Sequence, residues 1–140
     1  MIQRIQSLFL LLASGAAFGL LAAPFAFGTR GGVFADGVYN ATDHVSIIVC
    51  YAVAGALSLV AIFLYKTHSV QRRLASFSAI VSLIGIALGG WVFWETQSVA
   101  TAWGWGLVLP VVVVVLDLLA RRYIRKDEIV IRDLNSGRLR

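Results

Sequence analysis

The sequence predicts an all-α membrane protein with four transmembrane helices in an up-down-up-down bundle. The chain has 140 residues, of which 59% are hydrophobic and 14% charged, and its mean hydropathy is +0.85. A soluble domain is usually about half apolar and about a quarter charged. Four segments of about 20 apolar residues, each long enough to cross a bilayer core about 30 Å thick, nearly fill the chain. Eleven of the twelve Lys and Arg residues fall on one side of this bundle.

The composition also excludes several classes of function. Four spans leave no room for a soluble catalytic domain. A single cysteine, Cys50, excludes an intramolecular disulfide, a CxxC redox pair and a thiolate metal cluster. The net charge of +5 and the pI near 10.0 indicate membrane topology first, and nucleic-acid binding only as a poor second.

The first helix is predicted over residues 5–27. A basic head at Arg4, an apolar run and small residues near Ala22 are also typical of a secretory signal peptide. Because this run is longer than the apolar region of a typical signal peptide, we expect a retained membrane helix. The glycine-rich connection that follows, residues 28–43, is expected to have irregular backbone.

The second helix is predicted over residues 45–65, and the third over residues 74–94. Thr42 or Asp43 is the expected N-terminal cap of the second helix, since a short polar side chain there can accept a hydrogen bond from a free backbone N–H. The polar, basic segment 66–73 is expected to be a short connection between the two helices.

The fourth helix is predicted over residues 99–120, with a kink at Pro110 because proline removes a backbone donor. The β-branched run 111–115 would suggest a strand in water. An isolated strand in lipid cannot satisfy its backbone, so a helix is favoured. The basic cytoplasmic tail 121–140 is expected to continue this helix to about Asn135.

The positive-inside rule gives the orientation of the predicted bundle. The basic side is expected to be cytoplasmic, so both termini are expected to lie inside. Four tryptophans collect near the outer ends of helices three and four, as an interfacial belt does. They are Trp91, Trp94, Trp103 and Trp105.

Asp117 is the acidic residue within the predicted hydrocarbon run of helix four. The favoured interpretation is structural: Asp117 would pair with Arg121, one turn further on, and reach toward the interface. The alternatives are contact with a partner and, less favoured, a proton or ion route, because ionisable groups in membrane helices often mark such paths. Small four-helix exporters need a carboxylate near the membrane midplane, and one boundary aspartate does not replace it.

No catalytic residue, cofactor or metal site is predicted. His44 and His68 fall on opposite sides of the predicted membrane, so they cannot share a haem or a zinc ion. There is no plausible Ser-His-Asp set on one side of the membrane. The sequence therefore favours a protein that is not an enzyme.

Small residues at four-residue spacing predict close helix packing. Gly15 and Gly19 on helix one, and Gly85 and Gly89 on helix three, would let backbones approach in lipid. Packing within the bundle and an oligomer interface both remain open, the first being favoured.

The predicted cytoplasmic face is basic and is the expected contact for anionic lipid headgroups or a partner. Lipid headgroups favour each cation there by about 1 kcal/mol. The residues of this face are Arg4, Arg72, Arg73, Arg121, Arg122, Arg125 and Lys126.

The residues at the two ends of the chain resemble those of a known protein family. The start Met1-Ile2-Gln3-Arg4, and the closing Arg125-Lys126-Asp127-Glu128 with its final Arg-Leu-Arg, resemble a bacterial family of small four-helix integral membrane proteins. That family carries only a domain-of-unknown-function label, and its members typically have Arg-Arg-Asp-Glu at the second motif. The resemblance implies an inner-membrane location and four spans. It supplies no catalytic residues.

These features lead to one functional expectation and one alternative. We expect a non-enzymatic integral membrane protein, an accessory or assembly subunit of an inner-membrane complex, that meets lipid headgroups and a partner through its basic face. The partner would be a larger membrane complex or further copies of the chain, and not nucleic acid. The alternative is a small oligomeric transporter or channel.

Overall fold

A computed structural model describes residues 2–29, 36–96 and 100–137, and in these ranges the chain forms four α-helices and a small sheet. The helices are α1 (Ile2–Ala22), α2 (Val45–Phe63), α3 (His68–Thr96) and α4 (Leu109–Gly137). The strands are β1 (Pro24–Gly28), β2 (Val38–Asn40) and β3 (Ala100–Trp103). They form an antiparallel sheet in the order β2-β1-β3.

The four helices form an up-down-up-down bundle in which each packs against two neighbours. One buried cluster joins the first half of α1 and the beginning of α3 to the end of α2 and the middle of α4. Its members are Leu10, Ala61, Ala75, Ala120 and Ile124. A second cluster at the opposite end of the bundle joins the sheet to the other helix ends, with Phe25 and Tyr39 among its members. We call these the inner end and the outer end of the bundle.

Two helices in the described part of the chain, α2 and α3, are long and apolar enough to cross a membrane. The apolar part of α1, Ile5–Leu20, is shorter. The structure therefore confirms the predicted four helices, and it supports membrane insertion only through the length and composition of two of them.

The sheet is absent from the sequence-based prediction. The predicted first helix, 5–27, is wrong at its end, because α1 stops at Ala22 and Pro24 begins β1. Proline is tolerated at the first residue of a strand, where its missing N–H costs no ladder bond. Part of the connection expected to be irregular also pairs with β1, through β2.

The predicted start of the fourth helix at residue 99 is also wrong. Residues 100–103 form β3, a short 3₁₀ turn follows at Trp105–Leu107, and α4 begins at Leu109. A Cβ atom on Gly106 would lie 2.6 Å from the carbonyl oxygen of Pro24, so this glycine lets the turn press against β1. Pro110 lies in the first turn of α4, where it interrupts no helical hydrogen bond, so the predicted kink has no cause.

The connection between α2 and α3 is shorter than predicted. Helix α3 begins at His68, so Arg72 and Arg73 lie within the helix and not in a loop before Leu74. The carbonyl oxygen of Thr67 accepts the first helical hydrogen bonds, from the backbone N–H groups of residues 70 and 71. Because Arg and Gln are good helix formers, the basic segment costs the helix little.

The predicted cap of α2 is wrong as well. His44 precedes α2, and its carbonyl oxygen accepts hydrogen bonds from the N–H groups of Ile47 and Ile48. The carboxylate of Asp43 instead accepts a hydrogen bond from the backbone N–H of Asn40, at 2.7 Å, and stabilises the 3₁₀ turn Ala41–Asp43.

The continuation of helix four beyond residue 120 is confirmed, since α4 is unbroken to Gly137. Its first turns past the apolar run do not project freely. Ile124 is fully buried, and the buried Asp127 accepts a hydrogen bond from the side-chain amide of Gln6 on α1. Residues 121–128 are therefore part of the bundle, and the projecting segment begins later.

Candidate functional site

A groove lined by four arginines runs between α3 and α4 at the inner end of the bundle. Arg72 and Arg73 border it from α3, and Arg121 and Arg125 from α4. Residues 121 and 125 are one helical turn apart, and a four-residue separation places two side chains on the same face. The groove has a volume of about 440 Å³. We call it the arginine groove.

Three of the four guanidinium groups in the arginine groove have no acidic partner in the described part of the chain. Arg72 forms an ion pair with Glu128, with Nη1 and Oε2 2.8 Å apart. No carboxylate of the described residues pairs with Arg73, Arg121 or Arg125. The groove therefore carries uncompensated positive charge, which attracts an anion.

The remaining residues of the predicted basic face lie elsewhere. Arg122 is exposed but does not line the groove. The ammonium of Lys126 lies 5.7 Å from the ring centre of Tyr123, which stacks on Phe9 of α1 at 5.4 Å. Arg122 and Lys126 therefore lie on a different face of α4 from Arg121 and Arg125. The side chain of Arg4 lies outside the described part of the structure, as do residues 138–140.

A second polar cluster lies inside the bundle, where Asp117 of α4 meets serines from two other helices. Ser58 of α2 donates a hydrogen bond to Oδ1 of Asp117 at 2.9 Å, and Ser78 of α3 lies 2.5 Å from Oδ2. The two serine hydroxyls lie 2.8 Å apart, and the Ser78 hydroxyl is also 3.0 Å from the carbonyl oxygen of Ala54. All three side chains are fully buried. The cluster thus links α2, α3 and α4.

The prediction that Asp117 pairs with Arg121 is wrong. Asp117 has no exposed surface and makes no ion pair with Arg121, which lines the arginine groove instead. A side chain that reached toward the interface would be partly exposed. The side chain of Asp117 therefore bonds to hydroxyl groups of neighbouring helices and not to the basic boundary.

The glycines expected at helix contacts differ in how closely other atoms approach them. A Cβ atom on Gly85 would lie 2.9 Å from the ring of Tyr51, so this glycine does admit a close neighbour. A Cβ atom on Gly15, Gly19 or Gly89 would meet no described atom within 4 Å. These three positions are therefore not close helix contacts within the described chain.

An apolar cavity of about 180 Å³ lies at the outer end, beneath the sheet and between α3 and α4. Gly89 lines it, which explains the open space beside that residue. Aromatic side chains make up much of the wall, and burial, aided by Asp43, raises the pKa of one of them, Tyr39. The cavity is large enough for an apolar group somewhat bigger than benzene, which fills a dry cavity of about 150 Å³.

Metal-ligating residues do not cluster in the described ranges. No group of three or more His, Cys, Asp and Glu residues there could hold a metal ion. His44 lies at the outer end, next to Tyr39, and His68 begins α3 at the inner end.

Comparison with known proteins places the chain in a family. A family model described as Domain of unknown function (DUF4293) matches residues 2–138. The chain belongs to this family. This result agrees with the resemblance seen at the two ends of the sequence, to an uncharacterised family. Comparison with curated proteins found no match, and neither did comparison with solved structures.

Sequence reasoning found Asp117 and the arginines but missed Ser58 and the role of Ser78. Ser78 and Ser82, four residues apart on helix three, fit the small-residue packing pattern, but that pattern predicts no hydrogen bond. A better signal was available, because a hydroxyl in an apolar helix tends to bond across to another helix. Two such serines and one acid, on three consecutive helices, predict a shared cluster.

Proposed function

We propose that this family member is a non-enzymatic, four-span protein of the bacterial inner membrane, with both termini in the cytoplasm. On this account it is an accessory or assembly subunit of a larger membrane complex. Its basic inner face meets anionic lipid headgroups and a partner.

One observation carries the membrane assignment: small residues are prominent inside the bundle, while many large apolar residues are exposed on its outside. Seven alanines on the helices are almost fully buried, namely Ala13, Ala17, Ala54, Ala61, Ala75, Ala79 and Ala120. In contrast, about half of the side-chain surface is exposed at Leu11, Val53, Ile84 and Val115, one residue from each helix. Water would penalise such a surface, whereas lipid accepts it, and small residues are typical of helix contacts in membranes.

Helix length and charge also support the proposed four spans. Helix α1 has 21 residues and α2 has 19, so each is about 30 Å long at about 1.5 Å per residue, close to the thickness of a bilayer core. Helices α3 and α4 have 29 residues each; the arginines lie in the second turn of α3 and from the middle of α4 onward. The additional length of these two helices extends the basic end into the headgroup region on the cytoplasmic side.

The accessory role is tested by the state of the protein in native membranes. After extraction in a mild detergent, we expect the chain to migrate as part of a larger assembly, and cross-linking before extraction to give the same neighbours. Migration as an isolated chain at every concentration, with no reproducible cross-link, contradicts the accessory role.

The alternative, a small oligomeric transporter, is favoured by one observation, the burial of Asp117 between three helices. The hydrogen bonds of this cluster account for its burial without a transported ion. In proteoliposomes we therefore expect equal proton and sodium flux for the unmodified chain and the Asp117→Asn variant. Flux that disappears in the variant supports transport instead.

A further inference from the structure

The arginine groove has an apolar side in addition to its charge. Phe77 and Ile80 line it from α3, and more than half of each side chain is exposed. Both residues follow the arginines along α3 in the direction of the outer end, that is, toward the hydrocarbon in the proposed orientation. A ligand of this groove is therefore offered cations at one end and an apolar wall at the other.

We propose that the arginine groove binds one anionic phospholipid, with its phosphate among Arg73, Arg121 and Arg125. One acyl chain would lie along Phe77 and Ile80. This inference rests on the proposed function, since it places the groove at the cytoplasmic headgroup level. A free phosphate ion would use only the charge of the groove, and an acidic peptide segment would leave the apolar wall uncovered.

The arrangement of cations on α4 makes it possible to distinguish specific binding in the groove from general electrostatic attraction to an anionic surface. Arg121 and Arg125 face the groove, whereas Arg122 and Lys126 lie on another face of the same two turns. Both pairs are exposed, and both carry two positive charges at the same depth along the helix. General attraction to an anionic surface would draw equally on both pairs, whereas a phospholipid in the groove uses only the first.

The test measures lipid binding to the purified full chain in detergent. Dioleoyl phosphatidylglycerol is titrated and bound lipid is counted by native mass spectrometry, with dioleoyl phosphatidylcholine as the uncharged reference. We compare the unmodified chain with the double variant R121Q/R125Q and the matched control R122Q/K126Q. Arg72 is left intact, because its ion pair with Glu128 contributes to the bundle.

We expect one phosphatidylglycerol per chain, bound more tightly than phosphatidylcholine. The loss of two headgroup contacts in R121Q/R125Q should weaken binding about thirtyfold. The control R122Q/K126Q should weaken it less than about threefold, because these side chains do not reach the groove. Phe77→Ala should weaken binding of the lipid, and inorganic phosphate should not displace the lipid even at about a hundredfold excess.

Two results would overturn the proposal. Equal weakening by both double variants shows diffuse attraction, and displacement by inorganic phosphate at an equal concentration shows a site for a free anion. Far-UV circular dichroism shows that each variant keeps its helices, and an unchanged unfolding midpoint shows that the bundle is intact. Because this binding is measured in detergent, its failure leaves the four-span topology and the accessory role standing, and each of those has its own test.

Discussion

Replacing Asp117 with alanine removes the group that three helices share. Its two oxygens accept hydrogen bonds from α2 and α3, at 2.9 Å from the Ser58 hydroxyl and 2.5 Å from the Ser78 hydroxyl. After the substitution, the two serines still lie 2.8 Å apart and can bond to each other, so neither hydroxyl is left without a partner. The expected loss is therefore the two interhelical bonds and not the larger cost of orphaned buried groups.

The size of this loss follows from interhelical hydrogen bonds measured in membrane proteins. Such bonds average about 0.6 kcal/mol and reach about 1.7 kcal/mol. Two of them give about 1–3 kcal/mol for Asp117→Ala. Asparagine retains a carbonyl oxygen for one serine, and its amide can donate to the other hydroxyl, so Asp117→Asn should cost less than about 1 kcal/mol.

The assay is reversible unfolding in mixed micelles with increasing dodecyl sulfate, followed by far-UV circular dichroism. Leu118→Ala is the matched control, because it shortens a neighbouring α4 side chain that is 47% exposed. That control should change the free energy of unfolding by less than about 0.5 kcal/mol.

Two outcomes would refute this reasoning. If Asp117→Ala is as stable as the unmodified chain, the cluster does not hold α4 in the bundle. If Asp117→Asn is as damaging as Asp117→Ala, hydrogen bonding to the serines is not the contribution that Asp117 makes.

Three further predictions concern backbone positions, each checked by thermal unfolding. Gly85→Ala should destabilise the bundle by about 1–3 kcal/mol, because its Cβ would lie 2.9 Å from the Tyr51 ring. Gly89→Ala should be neutral or stabilising, since nothing lies within 4 Å of its Cβ position. Equal effects of the two substitutions on stability would contradict the observed packing. Pro110→Ala should change stability by less than about 1 kcal/mol, because the proline lies in the first turn of α4, and a large loss would show that it sets the helix direction. Gly106→Ala should loosen the sheet, because its Cβ would lie 2.6 Å from a backbone oxygen of β1; an unchanged melting temperature would count against the observed turn.

Hydropathy and charge were enough to predict the four helices, their order and the end at which the arginines gather. They were not enough to predict the sheet, because its strands are three to five residues long and two of them lay inside runs apolar enough to be continued as helix. Pro24 and Pro110 mark the places where that extrapolation fails. Each proline lies within two residues of a helix boundary, whereas the predicted helices 5–27 and 99–120 run through both positions.

The arginine groove was predicted only as a collection of charges. Helix α3 begins at His68, which fixes where Arg72 and Arg73 lie around the helix axis. The sequence-based prediction had placed both residues in a loop, so it could not assign them to a helix face. The partners of Asp117 were missed for a related reason, since neighbours on the same helix can be counted from sequence, whereas Ser58 and Ser78 become its neighbours only through helix packing.

The proposed four-span topology, with its basic end in the cytoplasm, is open to one direct measurement. Single cysteines are introduced into a Cys50→Ser background at Asp36 and Ala102 on the outer side, and at Thr67 and Ser136 on the inner side, all of them exposed positions. Intact bacterial cells are then treated with a membrane-impermeant maleimide. Four spans with a cytoplasmic basic end predict labelling at residues 36 and 102 in intact cells, and at residues 67 and 136 only after the cells are permeabilised. Labelling of residues 67 or 136 in intact cells, or recovery of the chain in the soluble fraction, contradicts the account.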